Sequence, residues 1–201
     1  SYMQPVDVQM GDNFICLLSL SGYVQCAGSN ANGRLGMGLD VVFQELTDLE
    51  NTTPIDFGNN TFIVSMAVGS LHTCVLSDIG TVLCFGLNNH MQLGRAIGSN
   101  IQTPADIGSA QTVLQVSCGI DYSCVRLQSG GVKCFGNWQN PGSGSLNRQF
   151  FLGDNLPELE LGTFSFAVDV QASGSHTCVR FEDKTVKCFG QSGNYLGFDV
   201  S

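Results

Sequence analysis

Residues 69–94 read GSLHTCVLSDIGTVLCFGLNNHMQLG, and the skeleton of this stretch recurs three more times along the chain. Aligned on paired cysteines, the copies are Cys16 with Cys26, Cys74 with Cys84, Cys124 with Cys134 and Cys178 with Cys188, each with nine residues between. Two residues after each second cysteine stands a glycine: Gly28, Gly86, Gly136 or Gly190. Six residues after the first cysteine stands Gly22, Gly80 or Gly130, with Lys184 as the exception in the fourth copy. Self-similarity at a period of about 50 residues marks an array of supersecondary units.

In the second copy, Val75-Leu76 and Val82-Leu83 are short apolar runs around Ser77-Asp78-Ile79-Gly80-Thr81, the pattern of a β-hairpin. If Cys74 faces Cys84, then Leu76 faces Val82 and Ser77 faces Thr81, leaving Asp78, Ile79 and Gly80 as a three-residue loop. Such loops end in a left-handed residue, which glycine adopts without steric cost. Lys184 in that place leaves two readings, a turn strained by ~1 kcal/mol or a turn built differently. Opposed residues on antiparallel strands have Cα atoms roughly 4.5–5.5 Å apart, within the reach of a disulfide. Cross-strand disulfides are therefore expected in all four hairpins. The rival reading is zinc, but zinc ligand pairs favour gaps of about two to four residues, and the gap here is nine.

Upstream of each hairpin, apolar residues alternate five, three and one positions before an aligned slot held by Gly11, Gly69, Gly119 and Ser173. They are Val6, Val8 and Met10; Val64, Met66 and Val68; Leu114, Val116 and Cys118; Val168, Val170 and Ala172. Alternation with period two predicts a half-buried strand. It also places the ninth cysteine, Cys118, in a core slot as a small hydrophobe with a free thiol, a reactive thiol or an intermolecular bridge being the alternatives. A fourth segment lies before that strand: residues 54–58, 104–108 and 157–162. About four short strands per unit make a propeller blade, so the expected fold is all-β, a β-propeller-like array of four blades. The expected limits are residues 1–38, 54–94, 104–146 and 157–197, with 198–201 as a further strand.

Gly69-x-x-His72-Thr73 leading to Leu76, then Gly80-x-Val82, Phe85-Gly86, Asn88 and Gln92-Leu93-Gly94 resemble the repeat of the regulator of chromosome condensation family. Members of that family form seven-bladed propellers, and disulfide-bearing versions of the repeat resemble its secreted relatives. The likeness covers nearly the whole chain. It is looser in the third copy, with Tyr122 at the His72 position and Trp138 at the Asn88 position, and in the first, with Phe14 and Ala27 for His72 and Phe85.

The chain has 201 residues, 43% apolar and 12% charged, ample for a core. No stretch approaches ~18 uninterrupted apolar residues, so no membrane span is expected. The cysteine pairs imply an oxidising compartment, with a secreted or extracellular location, and Ser1 reads as a mature or trimmed terminus. Asn51-Thr52-Thr53 and Asn59-Asn60-Thr61 are glycosylation sequons in the connection between units, marking Asn51 and Asn59. A net charge of −9 with eight Lys and Arg offers no phosphate-binding patch, so nucleic acid is not an expected partner and the exchange-factor role of nuclear relatives does not carry over.

Catalytic chemistry is weakly supported. His72 and His176 hold equivalent positions and read as scaffold residues bonding a neighbouring turn, while His90 is alone in a loop. No nucleophile elbow or phosphate loop is present. Asp48, Glu50, Asp154, Glu158 and Glu160 lack calcium-loop spacing, so no metal or cofactor is expected. Phe43, Trp138, Phe150, Phe151 and Tyr195 offer either sugar-stacking faces or plugs between blades, the second being favoured. Residues 140–145, Asn-Pro-Gly-Ser-Gly-Ser, read as an insertion or a binding loop.

The last sequence signal is one of phase. Ile55-Asp56-Phe57, Ala105-Asp106-Ile107 and Leu159-Glu160-Leu161 open the second to fourth copies, the first copy has no such segment, and Phe198-Asp199-Val200 has that form at the other end. The expectation is a non-enzymatic extracellular scaffold in which Phe198, Asp199 and Val200 complete a first unit, in the same molecule or in the next one head to tail. Its partners would be other copies, or further repeats of a parent chain. The alternative is a secreted lectin-like or protein-binding propeller whose partner is a glycan or an extracellular protein.

Overall fold

The computed structural model describes residues 4–38, 43–44, 53–58, 61–96, 101, 103–137, 151–162 and 166–190. It is all-β: one sheet of β1 (Pro5–Gly11), β2 (Phe14–Ser19), β3 (Val24–Ser29) and β4 (Phe43–Gln44), then three three-stranded antiparallel sheets. These are β5 (Ile63–Val68), β6 (His72–Ser77) and β7 (Val82–Gly86); β8 (Val113–Cys118), β9 (Tyr122–Leu127) and β10 (Val132–Gly136); and β11 (Ala167–Ser173), β12 (His176–Phe181) and β13 (Val186–Gly190).

Each sheet is a blade, and its hairpin has the register that the cysteine spacing implies. Cys74 opposes Cys84 and Leu76 opposes Val82, with Gly80 at φ 80° closing the loop. All four hairpins carry a disulfide, Cys16–Cys26, Cys74–Cys84, Cys124–Cys134 and Cys178–Cys188, with Cα atoms 4.0–4.1 Å apart. Lys184 adopts φ 70°, and its N–H reaches the Phe181 carbonyl at 3.0 Å just as Gly80 reaches Ser77 at 3.0 Å. The fourth turn is thus the same turn, with the left-handed cost borne by a residue that has a Cβ.

The inner strands carry a correction. In each, the register shifts one residue in, between Pro5 and Asp7, Ile63 and Ser65, Val113 and Gln115, and Ala167 and Asp169. The bulge turns Val6, Val64 and Leu114 outward to 57%, 48% and 46% exposure, and the preceding residues Ile63, Val113 and Ala167 take the buried places.

The segments at 54–58, 104–108 and 157–162 are not strands of the units they precede. Ile55 N–H donates to the Val24 carbonyl (2.9 Å), Ala105 to Val82 (2.9 Å) and Leu159 to Val132 (2.8 Å), so each lies along the last strand of the hairpin before it. Residues 54–58 therefore finish blade 1 rather than open blade 2. Phe198, Asp199 and Val200, which have the same sequence form, lie outside the described residues.

Blades pack face to face, and the core is divided among the junctions. Phe14, Leu18, Val24 and Phe57 of blade 1 meet Met66, Val75 and Phe85 of blade 2. Leu76, Val82 and Cys84 meet Val116, Val125 and Phe135 of blade 3, and Tyr122, Val132 and Cys134 meet Val170, Val179 and Phe189 of blade 4. Each fully buried side chain of this size contributes about 1.5–3 kcal/mol, so the junctions, rather than the small sheets alone, hold the array. In blades 2 and 3 one face looks back at the preceding blade and the other forward to the next.

Candidate functional site

The junctions are stitched by polar side chains on the inner strands. The outer edge of an inner strand leaves backbone N–H and C=O groups without a sheet neighbour, and a side chain from the preceding blade takes them. Gln9 Nε2 donates to the Met66 carbonyl (2.9 Å) while its Oε1 accepts from Val68 N–H (3.0 Å). Gln115 brackets Val170 in the same way, at 3.1 Å to the carbonyl and 3.0 Å from the N–H. Ser117 Oγ accepts from Ala172 N–H (2.7 Å). These residues were missed by the sequence reading, which used only the apolar positions of the alternation; the polar positions between them carry the signal. Gln171 occupies the Gln9 slot in blade 4 and donates to Asp169 Oδ1 (3.1 Å) within its own strand.

The junction of blades 2 and 3 holds a buried polar group. His72, fully buried, places Nε2 2.9 Å from Ser123 Oγ, and that hydroxyl donates to the Gln92 carbonyl (2.9 Å). Because the hydroxyl hydrogen is spent on Gln92, Nε2 carries the imidazole proton and donates to Ser123. His72 Nδ1 has no hydrogen-bond partner among the described residues. Burial drives the His72 pKa down to about 4, offset in part by a backbone contact at Tyr122. The His72 partner is a strand hydroxyl of the next blade, not a turn as expected. Blade 3 repeats the device with Tyr122, whose hydroxyl donates to the His176 carbonyl (2.7 Å) and lies 2.9 Å from Thr177 Oγ1.

Cys118 is a free thiol buried beside this group, 3.6 Å from Ser123 Oγ. Burial pushes it up to about 12, so the reactive thiolate is not formed near neutrality. His72, Cys74 and Cys118 place potential ligand atoms within 4.8 Å of one another. The Cys74 sulfur is committed to its disulfide, which leaves two donors, fewer than a structural metal site needs.

The remaining sequence candidates do not converge. His90 sits in the loop after β7, its N–H held by Gln92 Oε1 (2.8 Å). Asp154 is exposed and accepts from Ser109 N–H (2.6 Å) and Oγ (2.8 Å), which lower its pKa. Glu158 and Glu160 are exposed, and Phe151 is 40% exposed. Asp48, Glu50, Asn51, Asn59, Trp138, residues 140–145, Phe150, Tyr195, Phe198, Asp199 and Val200 lie outside the described residues. No helix among the described residues is long and apolar enough to cross a membrane.

What remains is a surface. In blades 2 to 4 the inner-strand residue three before the aligned slot is covered by the preceding blade: Met66 is 2% exposed, Val116 5% and Val170 0%. Its equivalent in blade 1, Val8, is 57% exposed, and Met10 beside it 76%, where Cys118 in the same slot is 6%. On its inner strand the backward face of blade 1 is thus exposed at Val8 and Met10, while Gln25 and Ala27, further out, are buried.

Comparison with known proteins agrees with the repeat reading. Residues 6–34 and 63–92, and residues 80–126, match the regulator of chromosome condensation (RCC1) repeat. Those segments are RCC1-type repeats. A hundred residues, 49% of the chain, are 34% identical to a bifunctional serine/threonine-protein kinase/NEDD4-like E3 ubiquitin-protein ligase of Dictyostelium discoideum, of which they span only 5%. Among solved structures, human WBSCR16 superposes with a TM-score of 0.72 at 18% identity, over 94% of this chain and 48% of that one. Yeast RCC1 (Prp20), in a complex with Kap60, gives 0.68 at 19% identity, over 94% and 44%. The RCC1-type array described here thus spans about half the length of each of these structures, and the likeness is one of fold.

Proposed function

We propose that the chain is a non-enzymatic extracellular scaffold of RCC1-type blades that binds a protein partner. The observation that carries this reading is the inner strand of blade 1, where Val8 stands exposed in a slot that the other blades bury, with Met10 76% exposed beside it. A contiguous apolar strip framed by polar positions is characteristic of a protein-docking surface. The four disulfides favour an oxidising compartment. Yeast RCC1 (Prp20), which shares this fold, has been solved with Kap60 bound, so a protein of this fold has a protein partner. The buried His72 and Cys118 have environments that suppress acid–base and nucleophilic chemistry, which favours a non-catalytic role.

Head-to-tail self-association through Phe198, Asp199 and Val200 drew on a missing first strand. With each outer segment lying on the hairpin before it, that premise falls away, and we prefer a different polypeptide as the partner. The test is site-specific photo-crosslinking on cells that secrete the chain. A crosslinking side chain at Met10 is expected to capture an extracellular protein, and one at Lys184, on the exposed turn of blade 4, is not. Equal capture at both positions, or none at Met10, would overturn the reading.

A further inference from the structure

The disulfides of blades 1 to 3 lie in the junctions, each against the blade that follows. The residue before the next blade's first cysteine presents a hydroxyl to the sulfur of the first cysteine in the pair. Thr73 Oγ1 lies 3.9 Å from Cys16 Sγ, Ser123 Oγ 3.4 Å from Cys74 Sγ and Thr177 Oγ1 3.8 Å from Cys124 Sγ. The residue before the aligned slot of that next blade packs in the same cluster: Val68 with Cys16 and Cys26, Cys118 with Cys74 and Cys84, Ala172 with Cys124 and Cys134. Valine and alanine are inert there. Cys118 puts a free thiol in that place, over the disulfide of blade 2.

Cys118 Sγ and Cys74 Sγ lie within 4.8 Å of each other, and Ser123 Oγ touches both, at 3.6 Å and 3.4 Å. Bonded sulfurs are about 2.05 Å apart, so the pair stands within about 3 Å of bonding distance. Holding thiol and disulfide in one junction makes their reaction intramolecular, with an effective concentration far above that of a dissolved thiol. The groups around the thiol are the Ser123 hydroxyl, the buried His72 and the Tyr122 ring. Burial keeps the thiol protonated while the junction is closed, and the closed chain accordingly holds Cys74–Cys84.

We infer that Cys118 is a second partner for Cys74: when the junction of blades 2 and 3 opens, thiol–disulfide exchange replaces the Cys74–Cys84 bridge within blade 2 by a Cys74–Cys118 bridge between the two blades. The Cys118 thiol gives its proton to water, and the thiolate sulfur bonds to Cys74 Sγ as the Cys74–Cys84 bond breaks. The electron pair of that bond leaves on Cys84 Sγ, which takes a proton from water. One thiol and one disulfide stand on each side, so no oxidant or reductant is consumed. The exchanged chain has a covalent tie across a junction otherwise held by packing and by the His72–Ser123 bond, and its second hairpin is no longer closed by a disulfide. The two neighbouring junctions have Val68 and Ala172 in this place and no thiol to exchange. The inference is independent of the partner proposed above.

The test starts from the wild-type chain with its four disulfides formed and no reductant present. The chain is held in urea below its unfolding midpoint at about pH 8.5, where an exposed thiol is half ionised, then quenched in acid, unfolded, labelled with a maleimide and mapped. The label is expected to move from Cys118 to Cys84, matched by a Cys74–Cys118 peptide in the same fraction of chains, with the other three bridges intact. Chains never exposed to urea before the quench are expected to carry the label on Cys118. A label that stays on Cys118 after urea, appears on Cys74, or spreads over the cysteines of all four hairpins overturns the inference. Cys84→Ala gives a second reading, with glutathione disulfide as the two-electron oxidant. Its Cys74 and Cys118 are expected to join, with two thiols lost per chain and two glutathiones released; two thiols that persist, or glutathione retained on either cysteine, overturn the inference as well.

Discussion

His72 offers the sharpest test of the junction geometry, because its burial ties the packing of blades 2 and 3 to pH. In the unfolded chain the imidazole titrates near its ordinary value of 6.5; in the folded chain burial holds it down to about 4. The folded pKa is depressed, so the unfolded state binds the proton first as pH falls. Stability is full above pH 6.5 and is lost progressively between 6.5 and 4. The gap corresponds to about 2 kcal/mol lost by about pH 5 and about 3 kcal/mol by about pH 4. The assay is urea unfolding of the oxidised protein at several pH values, for the wild type and for His72→Phe, which copies the Phe14 of blade 1. Between about pH 7 and pH 5, above the ordinary range of the carboxylates, the two proteins differ only at residue 72, so the difference isolates His72. The variant should lose less stability than the wild type across that window, by roughly 2 kcal/mol. Equal slopes would refute the claim that His72 is a buried, neutral donor to Ser123.

Gln9→Leu leaves the Met66 carbonyl and the Val68 N–H without their amide, and should cost about 1–3 kcal/mol in the same unfolding assay; a neutral effect would show that the strand edge is satisfied otherwise. Thiol titration of the oxidised protein should find Cys118 silent when native and one thiol per chain after unfolding, since burial holds it near 12, whereas rapid native labelling would contradict that burial. Material secreted from eukaryotic cells should lose mass on glycosidase treatment if Asn51 and Asn59 carry glycans, and an unchanged mass would remove that support for secretion.

The hairpins were legible because two local rules coincide at one place. A cysteine spacing that matches an antiparallel register and a glycine at the last loop position leave a single pairing, and Cys74 opposite Cys84 follows from them. The phase of the outer segments was not legible. Residues 54–58 are nearer in sequence to β5 than to β3, and only the bond from Ile55 to Val24 assigns them to blade 1. Bulges escaped for a similar reason: a period-two pattern cannot record the one extra residue that turns Val6, Val64 and Leu114 outward. Lys184 was visible as an exception to the repeat, yet only its φ of 70° shows that the turn is kept. Likewise His72 was seen as scaffold, but Ser123, some 50 residues further along, is brought to it only by packing.

Peptide mapping under non-reducing conditions bears most directly on the central claim, that the chain is an array of four blades each closed by its own disulfide. The account predicts bridges Cys16–Cys26, Cys74–Cys84, Cys124–Cys134 and Cys178–Cys188, with Cys118 as the free thiol. A bridge joining cysteines of different blades, or four reduced pairs in secreted material, would contradict it.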